Sequence, residues 1–207
     1  MEKIRTAKFF SAAILIILTT FAIFRLRQSD SSSHPPSPSF RIAGAKKPKI
    51  TIFEYSDFAC PACAAANEKL KTVLSAYGDK IQINFKHYPL IGIHRFSLDA
   101  AVYADCAGKQ GKFWEFADIL FENREKWANN ENFKKEFESY AKKISLNFPE
   151  MEKCHADLAV LKEVKSDISY GELKGIDATP TFFINGKRAV GGGQLINELR
   201  RLAAKEL

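Results

Sequence analysis

The sequence predicts an α/β fold in which a central sheet carries helices on both faces and a helical block is inserted midway. Three observations predict it. Two β-rich runs, residues 50–55 and 80–87, flank a helical stretch, which makes a βαβ unit with a right-handed crossover. A long helical pattern comes next, over residues 94–174. A strand, a tight turn, a second strand and an amphipathic helix then close the chain.

At the N-terminus, residues 9–24 (FFSAAILIILTTFAIF) carry no charge and sit between Lys3, Arg5 and Lys8 on one side and Arg25 and Arg27 on the other. As a helix this run would span roughly 24 Å, short of a hydrocarbon core of about 30 Å, a gap that snorkelling flanks can close. Cleavage of a signal segment needs small residues just after the apolar run, and Ile23, Phe24, Arg25 and Leu26 supply none. Residues 1–27 therefore read as an N-terminal membrane anchor in preference to a cleaved signal segment. The dense positive charge before the run places the rest of the chain outside the cytoplasm. Residues 28–48 are rich in Ser and Pro and read as a linker, too poor in apolar surface to offset their ordering entropy.

Residues 49–207 read as one domain. The run ITIFEY (50–55) is β-branched and aromatic, a strand buried on both faces. Pro61 opens a helix for which Gly78 is the natural stop. The run 80–87 alternates as a second strand. Gly108, Gly111, an Asn-rich run near 129–132 and Pro149 punctuate the helical block. Residues 181–184 (TFFI) read as a third strand, and Asn185-Gly186 is a hairpin turn into residues 187–190. Gly191, Gly192 and Gly193 break the chain before a last helix from Gln194.

Charge excludes one function class. Residues 1–48 hold eight of the 31 Lys/Arg and two of the 24 Asp/Glu, so that segment carries +6 of the net +7. The remaining residues are nearly neutral, without the clustered basic charge that a nucleic-acid surface requires.

The four cysteines are Cys60, Cys63, Cys106 and Cys154. A C-x-x-C pair can be a redox couple, half a zinc site or an inert disulfide. Zinc sites want a second such pair or a pair of histidines, whereas Cys106 and Cys154 stand alone and His87, His94 and His155 fit no ligand spacing. Context favours redox chemistry, because the motif directly succeeds a strand and opens a helix. There the unpaired backbone N–H groups and the helix dipole favour an anion. Cys60, at the N-cap, is then the exposed, acidified nucleophile, and Cys63, one turn on, the shielded resolving thiol. Such a couple needs no cofactor beyond its own disulfide.

The segment IFEYSDFACPAC resembles the strand-to-helix junction of the DsbA family in the thioredoxin superfamily. Two further stretches carry the resemblance: DATPTFFINGK resembles the superfamily's cis-proline loop, and FKHYPLIGIHRFSLDAAVYADCAGKQGKFWEF the start of the family's helical insertion. The resemblance implies a thioredoxin-like fold with an inserted α-helical subdomain. It makes Cys60 the nucleophile, Cys63 the resolving cysteine and Glu54 the family's buried acid, able to relay the Cys63 proton. It makes Pro180 a cis-proline facing the disulfide and Thr179 the residue whose backbone pairs with substrate. The intervening Pro61-Ala62 lacks the His of the family's prototype, one stabilising contribution to the thiolate fewer. Cys106 and Cys154 would form a structural disulfide, as the resembled subgroup often has; the alternative is two separate buried thiols.

The resemblance also implies an activity: introducing disulfides into unfolded exported proteins, with reoxidation by a DsbB-like or VKOR-like quinone-linked membrane reductase. Two rivals stand beside it, a disulfide isomerase or reductase of the same fold and a non-catalytic client-binding module. Among the remaining residues, the three histidines read as structural. Phe113, Trp114, Phe116 and Phe121 read as core, Phe58 as a candidate wall of a client groove, and Lys134, Lys135, Lys142 and Lys143 as solvated faces. Ser56 and Asp57 read as capping or turning the loop before Cys60.

Overall fold

The computed structural model describes residues 34–206. The apolar run 9–24, and with it the expected anchor, lies outside the described residues. Among the described residues no helix is long and apolar enough to cross a membrane.

Five strands form one sheet: β1 (Ile42–Gly44), β2 (Ile50–Ser56), β3 (Ile81–His87), β4 (Thr181–Ile184) and β5 (Lys187–Val190), in spatial order β1-β3-β2-β4-β5. Only β2 and β3 pair in parallel; helix α1 (Pro61–Tyr77) makes the crossover between them. Five helices separate the two halves of the sheet: α2 (Ser97–Lys109), α3 (Phe113–Glu122), α4 (Arg124–Trp127), α5 (Phe133–Lys143) and α6 (Phe148–His155). A sixth, α7 (Leu158–Leu173), leads back to β4, and α8 (Gly191–Glu206) ends the chain. The fold is thioredoxin-like α/β with an inserted helical subdomain.

Pleat periodicity decides which β2 residues meet α1. Ile50, Ile52, Glu54 and Ser56 share one face, and Ile50 and Ile52 pack there with Ala66 and Leu70 of α1 and with Leu195, Leu199 and Leu202 of α8. Tyr55 takes the other face with Tyr88, Ile176 and Phe183. The insertion has its own core, built around Phe116, Trp127, Phe137 and Tyr140. Phe58 belongs to this core: it is 1% exposed and stacks on Phe85 at 5.3 Å. It therefore lines no client groove, because its ring is spent joining sheet to insertion. Phe113, Phe116 and Phe121 are buried as expected.

The domain starts earlier than composition suggests. Residues 28–48 read as a spacer, yet Ser39–Arg41 form a 3-10 turn and β1 pairs antiparallel with β3. Ser37 donates its hydroxyl to the Phe85 carbonyl at 3.1 Å. Phe40 lies against Gly108 so closely that an added Cβ there would come within 2.2 Å of its ring. Arg41 is 1% exposed. Its Nε donates to Asp105 Oδ1 and its Nη1 to Asp167 Oδ2, both at 2.6 Å. Lys86 Nζ reaches Asp167 at 3.1 Å, and His87 Nε2 lies 2.9 Å from Asp105. One buried network thus ties the N-terminal arm, the sheet, α2 and α7 together. A sequence rich in Ser, Pro and Lys hides this, because the partners lie 64 and 126 residues away. The end of the chain also differs: Gly191–Gly193, expected as a break, form the first turn of α8, with Gly191 at φ +73°, a conformation open to glycine.

Cys106 of α2 and Cys154 of α6 are joined by a disulfide across 48 residues. His155 Nε2 lies 2.9 Å from Asp99 Oδ1 and its ring stacks on Tyr103 at 4.4 Å, a packing role.

These contacts set the stability of the domain. Arg41→Ala removes the buried cation that two buried carboxylates share and should lower unfolding free energy by about 3–5 kcal/mol in urea titration. The same network gives an acid limit. Burial, then the Arg41 charge, depress the His87 pKa, so His87 stays neutral in the fold while the unfolded chain takes up a proton. Burial works to raise the Asp105 pKa, but the hydrogen bond from His87 and the Arg41 charge hold it below its ordinary value of 3.8. Both shifts make stability fall as pH drops below about 6.5, the His87 contribution first. Replacing Cys106 and Cys154 together with Ala should cost about 2–5 kcal/mol of stability under oxidising conditions, measured the same way.

Candidate active site

Cys60 is the N-cap of α1, with φ −79° and ψ 123°, and Pro61 occupies the first helical position, where no intrahelical N–H is needed. Pro61 and Ala62 are exposed. Cys60 keeps 7% of its surface accessible and Cys63 none. Cys60 is thus less open than expected, because the Thr179 loop leans over it. Both cysteines are free thiols in this structure.

The two sulfurs are electrostatically unlike. A hydrogen bond from the Cys63 thiol holds the Cys60 pKa at about 5, against the opposing effect of burial and with help from Thr179 and the N–H groups of Cys63 and Ala62. Burial, together with the neighbouring Cys60 anion, pushes the Cys63 thiol well above its ordinary value of 9.0. At neutral pH the pair is therefore one thiolate and one thiol.

Thr179-Pro180 is a cis peptide. Cys60 Sγ lies 3.6 Å from the Thr179 carbonyl oxygen, which sets the loop directly against the nucleophile. The Pro180 carbonyl accepts from Gly191 N at 2.8 Å, and Thr181 Oγ1 donates to the Ala178 carbonyl at 2.7 Å. These bonds fix the loop between α7 and β4.

Glu54 is 1% exposed, on the β2 face that meets α1. Burial raises its pKa to about 7, with the Ser56 hydroxyl working the other way. The same hydroxyl lowers the Cys63 pKa. Ser56 shares the strand face of Glu54, two residues away, and is buried with it. Glu54 Oε1, Ser56 Oγ and Trp114 Nε1 have no hydrogen-bond partner within normal bonding distance. Glu54 and Trp114 line a cavity of about 200 Å³ together with Asn67, Lys71 and Asp118. Ser56, Asn67, Trp114 and Asp118 were not among the expected proton-handling residues; only the pleat and the helix register bring them to Glu54. Among the described residues no three metal-ligating side chains converge.

Asp57 closes the site from below. Its backbone N–H donates to Cys63 Sγ at 3.5 Å and its carbonyl accepts from Cys60 N at 3.1 Å. His94 Nδ1 lies 2.7 Å from its carboxylate.

Comparison with known proteins places this geometry. A family model described as Thioredoxin matches residues 37–202. The structure of α-DsbA1 from Wolbachia pipientis superposes with a TM-score of 0.70 at 25% identity, covering 82% of this chain and 94% of that one. Pseudomonas aeruginosa DsbA2 gives a TM-score of 0.67 at 26% identity, covering 84% of this chain and 100% of that one. Among curated proteins, Na(+)/H(+) antiporter NhaA 3 of Salinispora tropica is 29% identical over 150 residues, 72% of this chain. The chain spans only 22% of that antiporter's length. The chain belongs to the thioredoxin family and carries the fold of its DsbA-like thiol–disulfide oxidoreductases.

Proposed function

We propose that this chain is an extracytoplasmic dithiol oxidase that introduces disulfides into unfolded exported proteins. The observation that carries the reading is the inequality of the two sulfurs, Cys60 acidified at a helix start and Cys63 buried beneath it. A stabilised Cys60 thiolate stabilises the reduced enzyme, which makes its disulfide oxidising.

The reaction runs as two exchanges. A client thiolate attacks Cys60 Sγ of the oxidised pair, the Cys60–Cys63 bond breaks, and its electron pair leaves on Cys63. Client and Cys60 are then joined as a mixed disulfide. The client's second thiolate attacks its own sulfur in that bond and releases Cys60 as a thiolate, so the client is oxidised and the pair reduced by two electrons. Cys63, with its raised pKa, needs a proton as it leaves; Glu54, half protonated near neutral pH, supplies it through Ser56. The Thr179 backbone holds the client strand beside Cys60. Reoxidation falls to a DsbB-like or VKOR-like quinone-linked membrane reductase, near which an anchor formed by residues 9–24 would keep the domain at high effective concentration. The redox group is the pair itself, with no other cofactor.

Thiolate ultraviolet absorbance should titrate with a midpoint about pH 5, as the acidified Cys60 requires, and vanish in Cys60→Ser. A Cys63→Ser variant should accumulate mixed disulfides with thiol-bearing clients; a folded variant that captures none rules out catalysis. The reduction potential should lie nearer the roughly −120 mV of strong oxidants than the roughly −270 mV of thioredoxin-type reductants. For Glu54, the rate of attack on the oxidised pair, corrected for client thiolate, should fall as pH rises through about 7, where its carboxyl ionises. In Glu54→Gln the profile should be flat and, at pH 6, lower by at least about tenfold.

A further inference from the structure

The Asp57 carboxylate is fully buried and gathers four donors from three segments. Oδ1 accepts from Ala59 N at 2.8 Å and from the Ser97 hydroxyl. Oδ2 accepts from Leu90 N at 2.8 Å and from His94 Nδ1 at 2.7 Å. A turn before a helix needs only the first of these, the bond to a backbone N–H two residues on. The other three come from the loop after β3 and from the first residue of α2. The carboxylate is thus held by the loop before α1, the loop after β3 and the start of α2 together.

What it holds is its own peptide unit, whose N–H points at Cys63 Sγ from 3.5 Å. That sulfur is wholly inaccessible, and it is the atom on which the electron pair lands when the disulfide opens. Charge that develops out of reach of water must be met by donors already in place.

We propose that Asp57, locked by His94, Ser97 and Leu90, is a positioning residue that keeps its backbone N–H aimed at the leaving sulfur of Cys63. The inference rests on the exchange chemistry proposed above. Because the donor meets charge only while the Cys60–Cys63 bond is breaking or forming, it lowers the barrier in both directions and leaves the balance between oxidised and reduced forms where Cys60 sets it.

The test compares single-turnover reduction of the oxidised pair by dithiothreitol, and its reoxidation by oxidised dithiothreitol, in wild type and Asp57→Asn. Asn keeps an acceptor for Ala59 and Ser97 but sets an amide donor against Leu90 N–H and His94. Both rates should fall by about tenfold, less than the 10²–10³ seen when such a donor is removed outright, and their ratio and the Cys60 thiolate titration should stay unchanged. Unchanged rates in a folded variant overturn the proposal, as does a changed ratio with a shifted Cys60 titration, the mark of a general structural disturbance. If Asp57→Asn does not fold, Ser97→Ala decides: a severalfold loss in both rates that Ser97→Thr restores supports the proposal, and equal rates in all three forms overturn it. Failure of the wild type itself to exchange would remove the functional reading, and this inference with it; exchange by the wild type leaves that reading standing whatever Asp57 does.

Discussion

The start of α1 is where this structure's chemistry is decided. A helix that begins a four-residue loop after the central strand β2 presents unpaired N–H groups beyond that strand's C-terminal end, and Cys60 sits on them. Three residues further along, the same helix has turned Cys63 inward to face β2. One turn of backbone separates a site that favours an anion from one that penalises it. The Thr179-Pro180 loop and Asp57 converge on those two environments.

Holding that junction still is a task for the whole domain. The loop before Cys60 rests on α2 and on the segment after β3 through the Asp57 carboxylate. Phe58 fixes the same loop to Phe85 and Phe121, at ring separations of 5.3 and 4.9 Å. Next to this aromatic cluster lies the ionic one, since His87 touches both Phe58 and Asp105. Arg41 completes the ionic cluster from the N-terminal arm. Buried ions of this kind lend little net stability relative to apolar packing but tolerate no missing member. Their arrangement here sets insertion and sheet in one register, and the Cys106–Cys154 bond fastens α2 to α6 beside it.

The raised pKa of Glu54 is a second consequence of the same packing. A carboxyl on β2 would ionise freely at the sheet's edge. Under α1 it does not, and its pKa rises to the range where it can both give and take a proton at neutral pH. The cavity at Glu54 keeps polar side chains of α1 and α3 within its walls.

Local sequence determined much of this protein. The runs 50–55, 80–87 and 181–190 announce their strands because β-branched and aromatic residues are concentrated in them and turn residues bound them. Cys60-Pro61-Ala62-Cys63 announces its helix start because Pro tolerates only the first turn. Those signals depend on neighbours within a few positions, and so they could be read. Tertiary structure alone decided the rest. Arg41, in a stretch composed like a linker, became a core residue because two carboxylates far along the chain enclose it. Phe58 was drawn into the core and away from clients. Asp57 and His94, 37 residues apart, met under the sulfurs. Each of these depends on charged, hydrogen-bonding or aromatic groups that gain their partners only after the sheet and the insertion have closed on one another, and no local pattern encodes that closure.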